Sequence, residues 1–174
     1  MKLAHGQELL FLGKKLQLEI AEYSPRDFQS TELSFDGQRW RAAIPLGLSR
    51  EERERQLKER FLIWYRRQAR EILGGRIFHY ARLLGVWPKK ISIKTQKRLW
   101  GSCNFRKQKI HLNWQIVMSP LETIDYVVVH ELCHLQVPNH SPLFWSSVQK
   151  ILPDYKSQRS WLKVHQKEML LPFQ

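Results

Sequence analysis

At 174 residues, 43% hydrophobic and 11% aromatic, the chain is long enough to bury one core and too rich in apolar surface to stay unfolded. Lysine and arginine number 29 against 16 acids, a formal charge of +13, which favours polyanions or acidic partners and leaves the fold undecided. No apolar run reaches the ~18 residues of a membrane span, and the first twenty residues lack the apolar stretch of a secretory signal. Two cysteines, Cys103 and Cys133, without a CxxC argue against a disulfide scaffold and a zinc ribbon. A reducing, cytoplasmic setting with no membrane partner is the expectation, as a single domain over 1–174.

The first part of the chain, 1–47, reads as a β region. Leu16, Leu18 and Ile20 alternate with polar residues, and Leu33 and Phe35 do likewise. Asp36-Gly37 predicts a tight turn before Trp40, Ala42 and Ile44, and Ser24-Pro25 a loop. The remainder, 48–174, opens with a helix. Ser49 and Glu52 form a capping box, and Leu57, Phe61, Trp64, Tyr65 and Ile72 follow at helical spacing. Gly74-Gly75 predicts a break, after which a shorter helix carrying Ile77, Tyr80, Ala81 and Leu84 ends at Gly85. The charged run Arg50–Arg55 reads as a solvated helix face.

Two short strands follow, around Ile91 and Ile93 and over Lys109–Asn113, with Trp100-Gly101-Ser102-Cys103 between them. Ser119, Pro120 and Glu122 predict the start of a helix whose apolar face carries Leu121, Ile124, Val128, Leu132 and Leu135, and Pro138 stops it. Ser141-Pro142 and Pro153-Asp154 open two more helices.

The chemistry lies in His130-Glu131-Leu132-Cys133-His134, followed by His140. Residues four apart on a helix project from one face, so His130 and His134 offer two imidazole nitrogens to one ion. A catalytic zinc takes three protein ligands and keeps an open position, and His140, six residues on and beyond Pro138-Asn139, is the candidate third. This H-E-x-x-H-x5-H spacing is shared with metzincins, but Val137 stands where they place a glycine. Glu131 neighbours the first ligand, where a carboxylate reaches a water rather than the metal. One Zn²⁺ per chain is the expected cofactor, although imidazole sites suit other divalent ions. His5, His79 and His165 are isolated, and both cysteines read as packed thiols.

Trp100–Cys103, Ile110–Trp114, Ile124–His134 and Asn139-His140-Ser141 together resemble the YgjP-like metal-dependent hydrolases, a family similar to the SprT and WLM-type zinc peptidases. The resemblance runs from about Pro45 to Trp161. It implies an α+β minimal zincin-like metallopeptidase fold, with an HExxH helix, a backing helix and a small mixed sheet after the N-terminal strands. It implies His130, His134 and His140 as metal ligands, Glu131 as the catalytic carboxylate, and a protein or peptide substrate cleaved at an amide bond. One departure shows: the family usually carries Arg before Trp-Gly-Ser-Cys, where this chain has Leu99, with Arg98 one place earlier. If that arginine contacts substrate, specificity here differs.

Three points stay open. The donor to a developing oxyanion is one of Tyr155, Arg159, His111 and Tyr126. Trp100–Cys103 is either a substrate-facing strand or a bend that packs Trp100. Finally, Lys89–Lys109 holds eight cations and no acid, so nucleic acid or an acidic protein is a candidate partner, and processing of DNA-bound protein is the alternative function.

Overall fold

The alternating segments fold as expected in the computed structural model, which describes residues 3–24 and 30–170. Leu18 in β2 (Lys14–Tyr23) and Trp40, Ala42 and Ile44 in β4 (Arg39–Pro45) turn into the core, while charged neighbours such as Arg39 and Arg41 stay at the surface. β3 (Glu32–Phe35) joins β4 through the Asp36-Gly37 turn, where Asp36 Oδ1 accepts from the N–H groups of Gln38 and Arg39, both at 2.9 Å. A further strand, β1 (Glu8–Phe11), escaped the sequence reading because Leu9, Leu10 and Phe11 are buried in succession and leave no alternation to detect. The sheet order is β1-β2-β4-β3, with β2 and β4 parallel and the other pairs antiparallel. Of the expected Ser24-Pro25 loop, Pro25 lies outside the described residues.

α1 (Arg50–Leu84) is one helix of 35 residues, so the expected break at Gly74-Gly75 is corrected. Two glycines cost about 1 kcal/mol each relative to alanine. That cost is outweighed because Ala69, Leu73, Ile77, Tyr80 and Ala81 carry one buried stripe straight across them. The helix ends at Gly85, whose φ of 67° suits a residue without a side chain. Near its start, Phe61, Trp64 and Tyr65 close on Phe11, Phe35 and Trp40 in edge-on and tilted contacts, and Tyr65 Oη donates to the Leu10 carbonyl at 2.7 Å. The Arg50–Arg55 run is solvated as expected, with Arg55 pairing Glu52 and Glu59 along the helix.

A second sheet has the order β5-β7-β6: β5 (Lys90–Lys94) runs parallel to β7 (Lys109–Asn113), and β6 (Gly101–Asn104) is an antiparallel edge strand. Buried Asn113 organises its end. Its Oδ1 caps a fully buried 3₁₀ turn, Trp114–Met118, and its Nδ2 donates to the carbonyls of Gln96 and Leu99, tying down the loop that leads into β6.

α2 (Leu121–Cys133) then enters the core. Ser119 does not cap it, contrary to expectation. Pro120 takes the cap position, and the Ser119 hydroxyl turns back to donate at 2.7 Å to the Ile116 carbonyl, which also accepts the Ser119 N–H at 3.0 Å. Leu121, expected on the core face, is exposed because the first turn precedes the packed part of the helix. From Thr123 to Val129 every residue is buried. Asp125 is held there by Arg76 of α1 through two hydrogen bonds, Nε to Oδ1 at 2.5 Å and Nη2 to Oδ2 at 2.7 Å. α3 (Pro142–Ile151) and α4 (Tyr155–Leu170) pack against α2, as does β6. Among the described residues no helix is long and apolar enough to cross a membrane. The architecture is α+β, as expected.

Candidate metal centre and active site

His130 lies in the last turn of α2 and His134 is its C-cap. The helix ends at Cys133, earlier than the expected stop at Pro138 and leaving Leu135 outside it, and the chain turns over 134–136 to return His140 just ahead of α3. His140 Nε2 stands 3.0 Å from His130 Nε2 and 3.2 Å from His134 Nε2, and the three ligand-type atoms lie within 4.8 Å of one another. Neutral imidazoles with converging lone pairs repel unless a proton or a cation lies between them, and one proton serves only one pair. Two nitrogens, each about 2.0–2.1 Å from a tetrahedral zinc, are separated by about 3.3–3.4 Å. The observed spacings fit such an ion.

The tautomer of His134 follows from its other nitrogen. Nδ1 is 3.0 Å from the Val137 carbonyl, so it carries the proton and donates, leaving Nε2 free as a ligand. Val137, where metzincins have glycine, contributes through its backbone. Two aromatic rings of α3 fix the imidazole planes. Phe144 stacks on His134 at 4.4 Å between centroids and meets His130 edge-on at 4.9 Å, while Trp145 stacks on His140 at 5.5 Å. Phe144 and Trp145 fall in the helix that Ser141-Pro142 opens, and nothing in the local pattern tells a ring that stacks on an imidazole from one that fills a core.

Glu131 is buried, 5% exposed, and its Oε2 has no hydrogen-bond partner among the described residues; the same holds for His130 Nδ1. Burial pushes the Glu131 carboxyl up to about 8. Burial, followed by the neighbouring His134, His140 and Arg159, pushes His130 down to about 3. His134 is lowered as well, chiefly by burial. Charge is therefore costly at Glu131, His130 and His134, and a cation held by the imidazoles would offset the cost of a carboxylate beside them.

Gly101 supplies the space for Glu131. A Cβ at 101 would stand 2.6 Å from Glu131 Cγ and Oε1 and 2.8 Å from Cδ. The Trp-Gly-Ser-Cys segment is thus an edge strand whose glycine lies flat against the carboxyl, with Trp100 half-buried beside it. Burial raises both thiols to about 11, with the Glu131 charge adding to the effect at Cys103, and both cysteines are free.

A cavity of about 260 Å³ opens beside Glu131 and His130. Of the four candidate oxyanion donors, Tyr126 and Arg159 line it and the other two do not. Tyr155 stacks on Trp145 at 5.3 Å, and His111 pairs with Ser102 across the second sheet. Arg98 and Leu99 are exposed and line a different hollow, which shares Trp100 and Gln166 with this cavity. His5, His79 and His165 stand apart from the histidine triplet, His165 stacked on Trp161 and His5 bonded to the Ile20 backbone.

Comparison with known proteins agrees with the family suggested by the motifs. A model described as YgjP-like, metallopeptidase domain, matches residues 1–165. The chain is similar to the metallopeptidase zymogen abylysin of Pyrococcus abyssi, with 24% identity, TM-score 0.48, and coverage of 55% of this chain and 93% of that one. It is also similar to the metallopeptidase zymogen jannalysin of Methanocaldococcus jannaschii, with 23% identity, TM-score 0.47, and coverage of 55% and 88%. No curated protein matches it. Because the family match takes in both sheets, α1, α2, α3 and the histidine triplet together, the chain belongs to the YgjP-like metallopeptidase family.

Proposed function

We propose that the protein hydrolyses peptide bonds with one Zn²⁺ held by His130, His134 and His140, and with Glu131 as general base. The observation that carries this reading is the convergence of three imidazole Nε2 atoms next to a buried carboxyl whose Oε2 has no hydrogen-bond partner among the described residues. Three ligands are the complement of a catalytic zinc, whereas structural sites close with four. When bound, the ion supplies Lewis acidity, lowering the pKa of water from 15.7 to about 7 and polarising a carbonyl.

The chain's own groups do the rest. Glu131 accepts a proton from the attacking water and returns it to the leaving amine. Gly101 lets that carboxyl lie close against β6, and the low polarity around it keeps it basic enough to take the proton. Phe144, Trp145 and the Val137 carbonyl hold the imidazoles in register, so little reorganisation accompanies reaction. Tyr126, whose ring meets His130 edge-on at 5.8 Å, is the better placed of the uncharged candidates for the oxyanion. Glu131→Gln keeps the shape and removes the base: peptide cleavage should fall at least about 10²-fold, the lower end for general-base loss, with zinc content unchanged. Turnover at the wild-type rate in that variant refutes the proposal.

A second reading, processing of protein on nucleic acid, draws on the second sheet. Alternation and register put Lys90, Lys94 and Lys109 on the face shared by His111, whose imidazole is lowered by burial and by those three charges. Phosphate contacts of this kind weaken steeply with salt. A mobility shift that disappears across a salt series supports it, and no shift at low salt removes it.

A further inference from the structure

We infer that the cavity between α2 and α4 is a carboxylate-binding subsite of the substrate, with Arg159 and Lys163 as its specificity-determining residues; this rests on the hydrolase reading above. The cavity adjoins His130 and Glu131, so a group seated in it belongs to a residue flanking the bond to be cleaved. α4 presents Arg159, Leu162, Lys163 and Gln166 to it, a stripe at i, i+3, i+4 and i+7 that is one face of the helix. Trp100, Tyr126 and Leu162 make apolar walls for a side chain's methylenes, and the two cations stand one turn apart. Glu131 is the sole acid in the lining.

Among the described residues no ion pair involves Arg159 or Lys163. The Arg159 guanidinium lies 5.1 Å over the Trp145 ring, whose other stacking partners are His140 and Tyr155. Such a contact orients the planar group and leaves its N–H donors free for the two-pronged grip that arginine makes on a carboxylate. Two sources of that carboxylate suit the same donors: an Asp or Glu side chain next to the scissile bond, or the free C-terminus of a peptide.

The test compares zinc-loaded protein on matched peptides: Glu against Gln flanking the cleaved bond, and a free against an amidated C-terminus. Wild type should prefer one carboxylate form by at least tenfold in kcat/KM, and the arm in which the preference appears names the source. Arg159→Gln and Lys163→Gln should each reduce that ratio several-fold, Arg159→Lys less than Arg159→Gln. Binding of the same peptides to the Glu131→Gln protein, followed by tryptophan fluorescence, gives a readout independent of turnover and should show the same ratios in Kd. Cleavage with no preference in either arm, or equal losses on acid and amide forms in Arg159→Gln, overturns the subsite while leaving the hydrolase intact. Carboxylate-selective binding that Arg159→Gln abolishes, without zinc-dependent cleavage of any peptide, supports the subsite and overturns the hydrolase.

Discussion

Gly101→Ala should act as an active-site mutation although it adds one methyl group and touches no histidine. The contact optimum between carbon atoms is about 3.5–4.0 Å, against the 2.6 Å that the new Cβ would have to Glu131 Cγ and the 2.8 Å to Cδ. Relief requires the carboxyl-bearing side chain to move by about 1 Å, a misplacement that costs on the order of 10²-fold in rate. Overpacking adds about 1–3 kcal/mol of destabilisation, or roughly 2–12 °C in melting temperature for a chain of this size. The three nearest atoms all belong to Glu131, so metal content should be unchanged. The assay is kcat on a fluorogenic peptide with zinc per chain and thermal melting measured on the same preparation. In a Glu131→Ala background, where no Cγ remains, the stability cost of Gly101→Ala should vanish, a coupling that a double-mutant cycle reads directly. A Gly101→Ala enzyme within threefold of wild type, or a stability cost that persists without the Glu131 side chain, refutes the reasoning.

Other perturbations follow from the same structure. His140→Ala should lower zinc content below a tenth of an equivalent while leaving far-ultraviolet circular dichroism intact, and a full equivalent retained would remove His140 as a ligand. Arg76→Ala leaves a buried carboxylate at Asp125 without its partner and should cost about 3–5 kcal/mol in urea denaturation; a loss under 1 kcal/mol would mean that the pair is solvated. Gly74→Ala and Gly75→Ala meet open space inside a continuous helix, so each should stabilise by roughly 0.5–1 kcal/mol. A lower melting temperature in either would restore the break at that position.

Much of the molecule was legible in local pattern. Alternation placed β2, β3 and β4, turn chemistry placed Asp36-Gly37, and the i, i+4 histidines marked the candidate centre before any packing was known. The errors have separate causes. The break signal of Gly74-Gly75 lost to a tertiary term, the buried stripe spanning the glycines, and the capping signal of Ser119 lost to a competing local bond from its hydroxyl to the Ile116 carbonyl. β1 was missed because consecutive burial erases periodicity.

What the sequence alone determined is which side chains are candidates for the centre, since helix geometry puts His130 and His134 on one face and His140 follows six residues on. What only the tertiary structure decided is their surroundings: the space that Gly101 leaves for Glu131, the rings of Phe144 and Trp145 behind the imidazoles, and Arg159 and Lys163 of α4 lining the cavity. The physical reason is range. A helical turn couples residues three or four apart through covalent geometry, whereas Gly101 and Glu131, or Trp145 and Arg159, meet only because burial of α2 brings β6, α3 and α4 against it.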